Sequence, residues 1–192
     1  EGKSVKMLAV PSEQALKRIT DKVGDFNNIL TVTTTADGGK GSLSWCLDNI
    51  GENGLITFDS NIFKPSKPAI IYVRSNSLTL KKNNITIDAS DSGVIIDGRY
   101  SNINDGLNVF ADNNIIKGLK ITGFKNNGIS IQGSGNIIGG SWMEGTAPTG
   151  EGNIIVNNGG MGISIYGSAS SENIIAGNFI GLDSNGKSAG PN

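Results

Sequence analysis

The stretch "NIIKGLKITGFKNNGISIQGSGNIIGG", from Asn114 to Gly140, decides the fold of this chain because it begins and ends with the same motif. The motif Asn-Ile-Ile-X-Gly starts at Asn114 and returns 22 residues later at Asn136. A third copy, "NIIAG", starts 37 residues further on at Asn173, and the extra length coincides with a turn-rich insertion at residues 141–152. A regular period interrupted by insertions is typical of a solenoid, in which every repeat forms one coil of a stack.

Each repeat holds three short apolar segments separated by Gly- and Asn-rich turns. In one repeat they occupy residues 107–110, 114–117 and 119–122, and equivalent triplets follow at 129–132, 136–139 and 153–156 and at 163–166, 173–176 and 178–180. Three short strands per coil predict an all-β fold, a right-handed three-sided parallel β-helix with an N-terminal helical cap. Leucine-rich repeats have a similar period, but this Ile-dominated repeat lacks their regular leucine spacing.

Stacking places equivalent residues of neighbouring coils directly above one another, because strands in a sheet lie about 4.8 Å apart. We therefore expect two inward ladders, Leu107, Ile129 and Ile163, and Val109, Ile131 and Ile165. The Asn that opens each motif is predicted to lie at a corner, since Asn tolerates left-handed backbone geometry. Stacked Asn amides can then hydrogen-bond along the column.

The N-terminal region differs from the repeats. Residues 1–28 are predicted to form a helical or linker segment, with an amphipathic helix in "SEQALKRITDKVG" at residues 12–24. Residues 29–53 contain a β-rich stretch, "ILTVTTT", and a short helix in "SLSWCLDNIG". Ser42 can cap that helix, and its apolar face consists of Leu43, Cys46, Leu47 and Ile50. Residues 54–192 are the coils.

The repeat pattern calls for a further strand after "GPN" at residues 190–192. We therefore expect the coils to continue beyond Asn192 in a longer protein or a second chain. The partner at this open end would be the C-terminal remainder of the same β-helix or another copy of the chain.

The composition argues against several classes of function. The chain has no His, which excludes imidazole bases, Ser-His-Asp triads and His-ligated zinc within it. Its net charge is −1 and it has no Lys/Arg cluster, so no nucleic-acid partner is expected. The single Cys46 excludes an intrachain disulfide, and no apolar run is long enough to predict a membrane span.

The repeats resemble bacterial secreted and cell-surface proteins of the pectate-lyase-like superfamily. The segment "GNIIVNNGGMGISIYGSASSENIIAGNFIGLDSNGKSAGPN" is similar to one unit of their repeat, and "TTTADGGKGSLSWCLDNI" followed by "GLITFD" resembles their CSLREA-type leading segment. Ser44 and Trp45 depart from that motif, in which Arg and acidic or amide residues usually follow Gly-Ser-Leu. The resemblance implies a secreted or cell-surface location in bacteria. It covers adhesins, glycan-binding proteins and polysaccharide-degrading enzymes alike.

The first strand of each coil offers outward polar and aromatic residues. Such side chains can stack on sugar rings and hydrogen-bond to them, and we predict carbohydrate binding at Phe110, Gln132 and Tyr166. Trp142 is a further candidate, because loops that project from a scaffold collect binding residues. The sequence therefore predicts an extracellular or cell-surface protein that binds polysaccharide or mediates surface contact.

The alternative function is the N-terminal part of a polysaccharide lyase or glycoside hydrolase that acts on acidic polysaccharide. A lyase needs a strong base and a hydrolase needs paired carboxylates, and the first-strand positions supply neither. The candidate catalytic residues are Asp97 and Arg99, in the acidic region of residues 88–112. The candidate cofactor is Ca²⁺, and the same region supplies its candidate ligands, Asp88, Asp91 and Asp97.

Overall fold

The computed structural model describes residues 26–182 and 190–192. One helix and 15 strands lie in these residues. In chain order they are β1 (Asn28–Val32), α1 (Leu43–Asn49), β2 (Gly54–Phe58), β3 (Ala69–Tyr72), β4 (Thr79–Leu80), β5 (Thr86–Asp88), β6 (Val94–Asp97), β7 (Leu107–Val109), β8 (Ile115–Lys117), β9 (Leu119–Thr122), β10 (Ile129–Ile131), β11 (Ile137–Gly139), β12 (Ile154–Val156), β13 (Ile163–Ile165), β14 (Ile174–Ala176) and β15 (Phe179–Ile180). The helix predicted at residues 12–24 lies outside the described residues.

The strands form three sheets, and neighbouring strands within each sheet come from successive coils. Sheet A contains β1, β2, β5, β8, β11 and β14, sheet B contains β4, β7, β10 and β13, and sheet C contains β3, β6, β9, β12 and β15. All pairings between these strands are parallel. From β4 onwards the chain visits sheets B, A and C in turn, one strand each, so the predicted three-sided parallel β-helix is confirmed.

The inward side chains form a continuous apolar column. Sheet B pairs Leu107 with Ile129 and Ile129 with Ile163, which confirms the register of the first predicted ladder. The second ladder pairs Val109 with Ile131 and Ile131 with Ile165. Leu107, Val109, Ile129 and Ile131 are buried, whereas in the last strand of sheet B Ile163 is half-buried and Ile165 is 45% exposed. Ile56, Ile87, Ile116 and Ile138 of sheet A and Ile96, Ile121 and Ile155 of sheet C are fully buried. Each such side chain contributes about 1.5–3 kcal/mol by burial, so stacking of the coils supplies the core.

The short predicted helix is α1, and its N-terminus is capped as expected. The Ser42 side chain accepts a hydrogen bond from the backbone N–H of Trp45 at 3.1 Å. Its apolar face of Leu43, Cys46 and Leu47 is buried, and the helix packs against β1 and β4. Burial raises the pKa of the Cys46 thiol to about 11, so it is a core residue and not a nucleophile. Within the described part of the chain, no helix is long and apolar enough to cross a membrane.

The asparagine that opens each motif lies at a corner, but the prediction that it adopts the left-handed conformation is wrong. The left-handed residue stands one position earlier, at Asn113 (φ 58°) before Asn114 and at Gly135 (φ 66°) before Asn136. The buried Asn side chain instead accepts from the backbone of a neighbouring coil. Asn136 Oδ1 accepts from the N–H of Asn114 at 2.8 Å, and Asn173 Oδ1 accepts from the N–H of Asn136 at 2.9 Å. The column therefore joins side chains to backbone, because the amide oxygen satisfies a buried N–H that would otherwise lack a partner.

A second asparagine column lies at the corner between sheets A and C. Asn153 Oδ1 accepts from the N–H of Leu119 at 3.0 Å, and its Nδ2 donates to the carbonyl of Ile116 at 2.9 Å. The side chain is fully buried. It thereby connects the coil of β12 to the preceding coil, which contains β8 and β9.

We expect Asn153→Ala to destabilise the protein by about 2–3 kcal/mol, because it removes the hydrogen bonds that the Asn153 side chain makes to the buried N–H of Leu119 and to the carbonyl of Ile116. The matched control is Asn102→Ala, at an exposed position, which should change the unfolding free energy by less than about 0.5 kcal/mol. Urea denaturation of both variants measures the difference. Equal stability of the two variants would show that the column is not an energetic element of the corner.

Candidate functional site

The outer face of sheet B is polar and uncharged. Its outward positions Thr79, Asn108, Ser130 and Ser164 lie in register on successive strands. These positions alternate along each strand with the inward apolar positions, so their side chains lie on the opposite face of the sheet. Thr79, Asn108 and Ser164 are half-buried and offer donors and acceptors along the helix axis, whereas Ser130 is 1% exposed and is not accessible to a ligand.

A second row of side chains, the B column, follows directly after the strands of sheet B. It consists of Lys81, Phe110, Gln132 and Tyr166. The sheet ladder continues through it, since Phe110 N donates to the Leu80 carbonyl at 3.0 Å, and Gln132 and Tyr166 donate to Val109 and Ile131 at 2.8 and 3.0 Å. Phe110 and Tyr166 are 49% and 42% exposed. The structure thus brings together three of the four residues predicted to bind carbohydrate.

Trp142, the fourth, lies apart from the B column. It belongs to the insertion between β11 and β12 and is 64% exposed. The insertion follows the C-terminal end of β11, whereas Gln132 of the B column precedes the N-terminal end of that strand. The insertion is fixed to an earlier coil: the Asp91 carboxylate accepts from the N–H and hydroxyl of Thr146 at 2.9 and 3.0 Å, and Ala147 N donates to the Ser90 carbonyl at 2.7 Å. Trp142 therefore projects from an anchored loop.

An ion triad also ties the insertion to sheet A. Lys117 Nζ lies 2.8 Å from Glu151 Oε1 and 3.1 Å from Asp88 Oδ2, and all three side chains are less than a third exposed. Burial alone would lower the pKa of Lys117, but the hydrogen bond to Glu151 and the charges of Asp88 and Glu151 raise it above its ordinary value. Lys117 is therefore a charged structural group.

Asp97 and Arg99 form a clamp at the end of β6. The Asp97 carboxylate is 1% exposed and accepts from the Arg99 backbone N–H at 2.9 Å, from Nε at 2.8 Å and from Nη2 at 2.7 Å. The hydrogen bond to Asp97 and its charge raise the pKa of Arg99, which keeps the guanidinium protonated. A protonated guanidinium is not a general base, and a fully engaged carboxylate is not placed to meet substrate. We therefore assign no catalytic step to this pair.

The three carboxylates proposed as Ca²⁺ ligands do not come together. Asp88 faces Lys117, Asp91 faces Thr146, and Asp97 faces Arg99. In residues 26–182 and 190–192, no three Cys, Asp or Glu side chains group in a way that could hold a metal ion. Each carboxylate instead stabilises a turn or the insertion.

Two features were missed from the sequence. Tyr72 and Tyr100 pack with ring centroids 5.5 Å apart, and the guanidinium of Arg74 lies 5.6 Å from the Tyr100 ring centre. A shallow cleft of about 200 Å³ lies on the outer face of sheet C, between Ile95, Lys120 and Ile154 and the Pro148 wall of the insertion. Sheet C pairs Tyr72 with Asp97, which is three residues before Tyr100. A prediction of this register would therefore have placed the two tyrosines near each other.

A solved β-helical structure is similar to this chain, whereas the sequence comparisons find no match. No family model and no curated protein matches the sequence. Among solved structures, the pectate lyase Pel9A is similar to this chain with a TM-score of 0.46 and 16% identity. The similar region covers 76% of this chain and 40% of that chain, so the aligned part is less than half the length of the lyase.

Proposed function

We propose that this β-helix is a secreted or cell-surface protein that binds polysaccharide along the B column. The observation that carries the proposal is the row of exposed Phe110, Gln132 and Tyr166 on three successive coils. Aromatic faces stack on the apolar faces of sugar rings, and an amide between them can donate to and accept from sugar hydroxyls.

The rigidity of the row supports this proposal. Phe110, Gln132 and Tyr166 each bond through the backbone to the preceding coil, and inward neighbours such as Val109 and Ile131 are fully buried. The aromatic rings are therefore presented by a fixed backbone, which lowers the ordering cost of binding. Phe110 and Tyr166 stand two coils apart, about 10 Å by the strand spacing, a separation comparable to two sugar rings of an extended chain.

We expect the wild-type protein to be retarded in affinity electrophoresis by at least one polysaccharide of a panel containing pectin, alginate and xylan. The double variant Phe110→Ala/Tyr166→Ala should lose about tenfold or more in affinity, because two stacking contacts worth about 1 kcal/mol or more are removed. The matched control is Tyr100→Ala, at an aromatic residue that is 60% exposed at a different corner. The proposal fails if the double variant and Tyr100→Ala bind as the wild type does.

The predicted contact at the insertion is tested separately. Trp142→Ala removes an exposed ring from a loop that is anchored through Thr146 and Ala147, so the substitution leaves the anchor intact. Lost binding in Trp142→Ala with retained binding in the B column variant would place the site on the insertion instead.

A further inference from the structure

We infer that the glycan bound by the B column is an uncharged polysaccharide. This inference rests on the proposed function and concerns the same site. It follows from the charge of the B face, which we define as the outward row Thr79, Asn108, Ser130 and Ser164 together with the B column.

The B face carries one charged side chain, Lys81, at one end. Lys81 Nζ lies 3.6 Å from the carboxylate of Asp48 on α1, and both side chains are about two-thirds exposed. Three coils further along, around Tyr166, the face offers only hydroxyl, amide and aromatic groups. A chain with one carboxylate per ring would therefore place most of its charges opposite groups that carry no positive charge.

Lys82, which is exposed and follows Lys81, adds positive charge at that end of the face, whereas the border of the middle coils adds negative charge. Asp112 follows the B column by two residues, is exposed, and accepts from the N–H of Ser134 at 2.8 Å. That hydrogen bond holds the carboxylate at the corner beside Phe110 and Gln132. An anionic chain lying along the column would meet like charge here, which costs affinity.

The polar groups of the face match sugar hydroxyls instead. Asn108 Nδ2 donates to Ser77 Oγ at 3.4 Å, whereas Ser130 is buried and its Oγ accepts from Asn127 Nδ2 at 3.2 Å. The accessible polar groups of the face are therefore those of Thr79, Asn108, Gln132 and Ser164. Hydroxyls and amides that both donate and accept can pair with hydroxyls in either sense, whereas a carboxylate accepts only. Desolvating a carboxylate without a cation is costly, so the face discriminates against uronates.

The test is calorimetric titration with hexasaccharides of matched length, namely cellohexaose, xylohexaose, mannohexaose and hexagalacturonate, at low and high salt. We expect at least one neutral hexasaccharide to bind, with an affinity that high salt leaves unchanged and that Phe110→Ala/Tyr166→Ala lowers about tenfold or more. Hexagalacturonate should bind at least about tenfold more weakly than that neutral ligand.

A gain-of-function variant gives the inference a second readout. Gln132→Lys places a cation between the two aromatic residues, and we expect it to raise affinity for hexagalacturonate in a salt-dependent manner while Gln132→Asn does not. Gln132 is exposed, so both variants should fold, which circular dichroism checks.

The outcomes separate the inference from the proposed function. If hexagalacturonate is the preferred ligand and its binding depends on Phe110 and Tyr166, the inference that the glycan is uncharged is overturned, and the proposed binding site on the B column is retained. Uronate binding that is lost in Arg74→Ala but not in the B column variant places an acidic-glycan site at the Arg74–Tyr100 corner and overturns both. Binding of no hexasaccharide overturns the proposed function and the inference with it.

Discussion

Replacing Gly118 with Ala should destabilise the protein by at least about 3 kcal/mol, the largest single-residue effect that we expect. Gly118 has φ +75°, in the left-handed region, and joins β8 to β9. A Cβ at this position would overlap backbone atoms of Ala89 and Ser90 in the preceding coil. Backbone cannot move aside as a flexible side chain can, so the coils would have to separate at this corner. Guanidinium denaturation measures the loss.

Two other glycines separate the effect of backbone strain from the effect of overlap between coils. Gly39 has φ +87°, but a Cβ added there would meet no atom within 4 Å, so Gly39→Ala reports the backbone strain alone, about 1–2 kcal/mol. Gly51 has neither a positive φ nor a neighbour within that distance, and Gly51→Ala should change stability by less than about 0.5 kcal/mol. A loss in Gly118→Ala no larger than that in Gly39→Ala would show that the stacked corners can move apart easily.

Replacing Lys117 with Met should destabilise the protein by about 2 kcal/mol at neutral pH. The substitution keeps the aliphatic packing but leaves Asp88 and Glu151, which both face Nζ within 3.1 Å, without their cation. Asp88→Asn is the control, because Lys117 then keeps Glu151, and the loss should be about 1 kcal/mol or less. Equal losses in the two variants would contradict the view that Lys117 is the centre of the triad.

The pH dependence of the wild-type protein tests the same triad. Since folding raises the pKa of Lys117, its stabilising contribution is complete below the ordinary value of 10.5 and is lost as the pH rises through the higher folded-state value. The stability difference between wild type and Lys117→Met should therefore be constant from neutral pH to about 10 and shrink above 10.5. Urea denaturation of the wild type and of Lys117→Met at neutral and at alkaline pH measures this stability difference. A difference that grows above pH 10.5 would contradict the expected loss of the Lys117 contribution.

The coil architecture could be predicted because it is periodic. Leu107, Ile129 and Ile163 recur in the same position of each repeat, and stacking in register places them in one inward ladder. The placement of Phe110, Gln132 and Tyr166 in one row follows from the same periodicity. The conformation of Asn114 was not predictable in this way, because its side chain satisfies the backbone of a neighbouring coil and the left-handed residue precedes it.

The partners of the acidic residues could not be predicted, because they depend on the insertion and on the corners. Lys117 and Glu151 are 34 residues apart, and Glu151 belongs to the insertion, which has no counterpart in the other repeats. Their contact exists because the insertion folds back along the stack. The ion pair of Asp97 with Arg99 is an exception, because the two residues are two positions apart and the sequence already offers this pair as one that closes a turn. The Ca²⁺ ligands predicted from clustering in sequence, Asp88, Asp91 and Asp97, each have a different partner in the structure.

The anchoring of the insertion has a consequence for how the stack comes apart. In a solenoid whose coils touch only their neighbours, coils can detach one at a time from an end. Here the loop after β11 bonds to Ser90 and Asp91 between β5 and β6, two coils back, and Glu151 O accepts from Gly118 N in the coil between. The coils from β5 to β12 are thereby fastened as one block. Stepwise unravelling should stop at this block, which then opens in a single cooperative event and sets the resistance of the protein to pulling and to proteolysis.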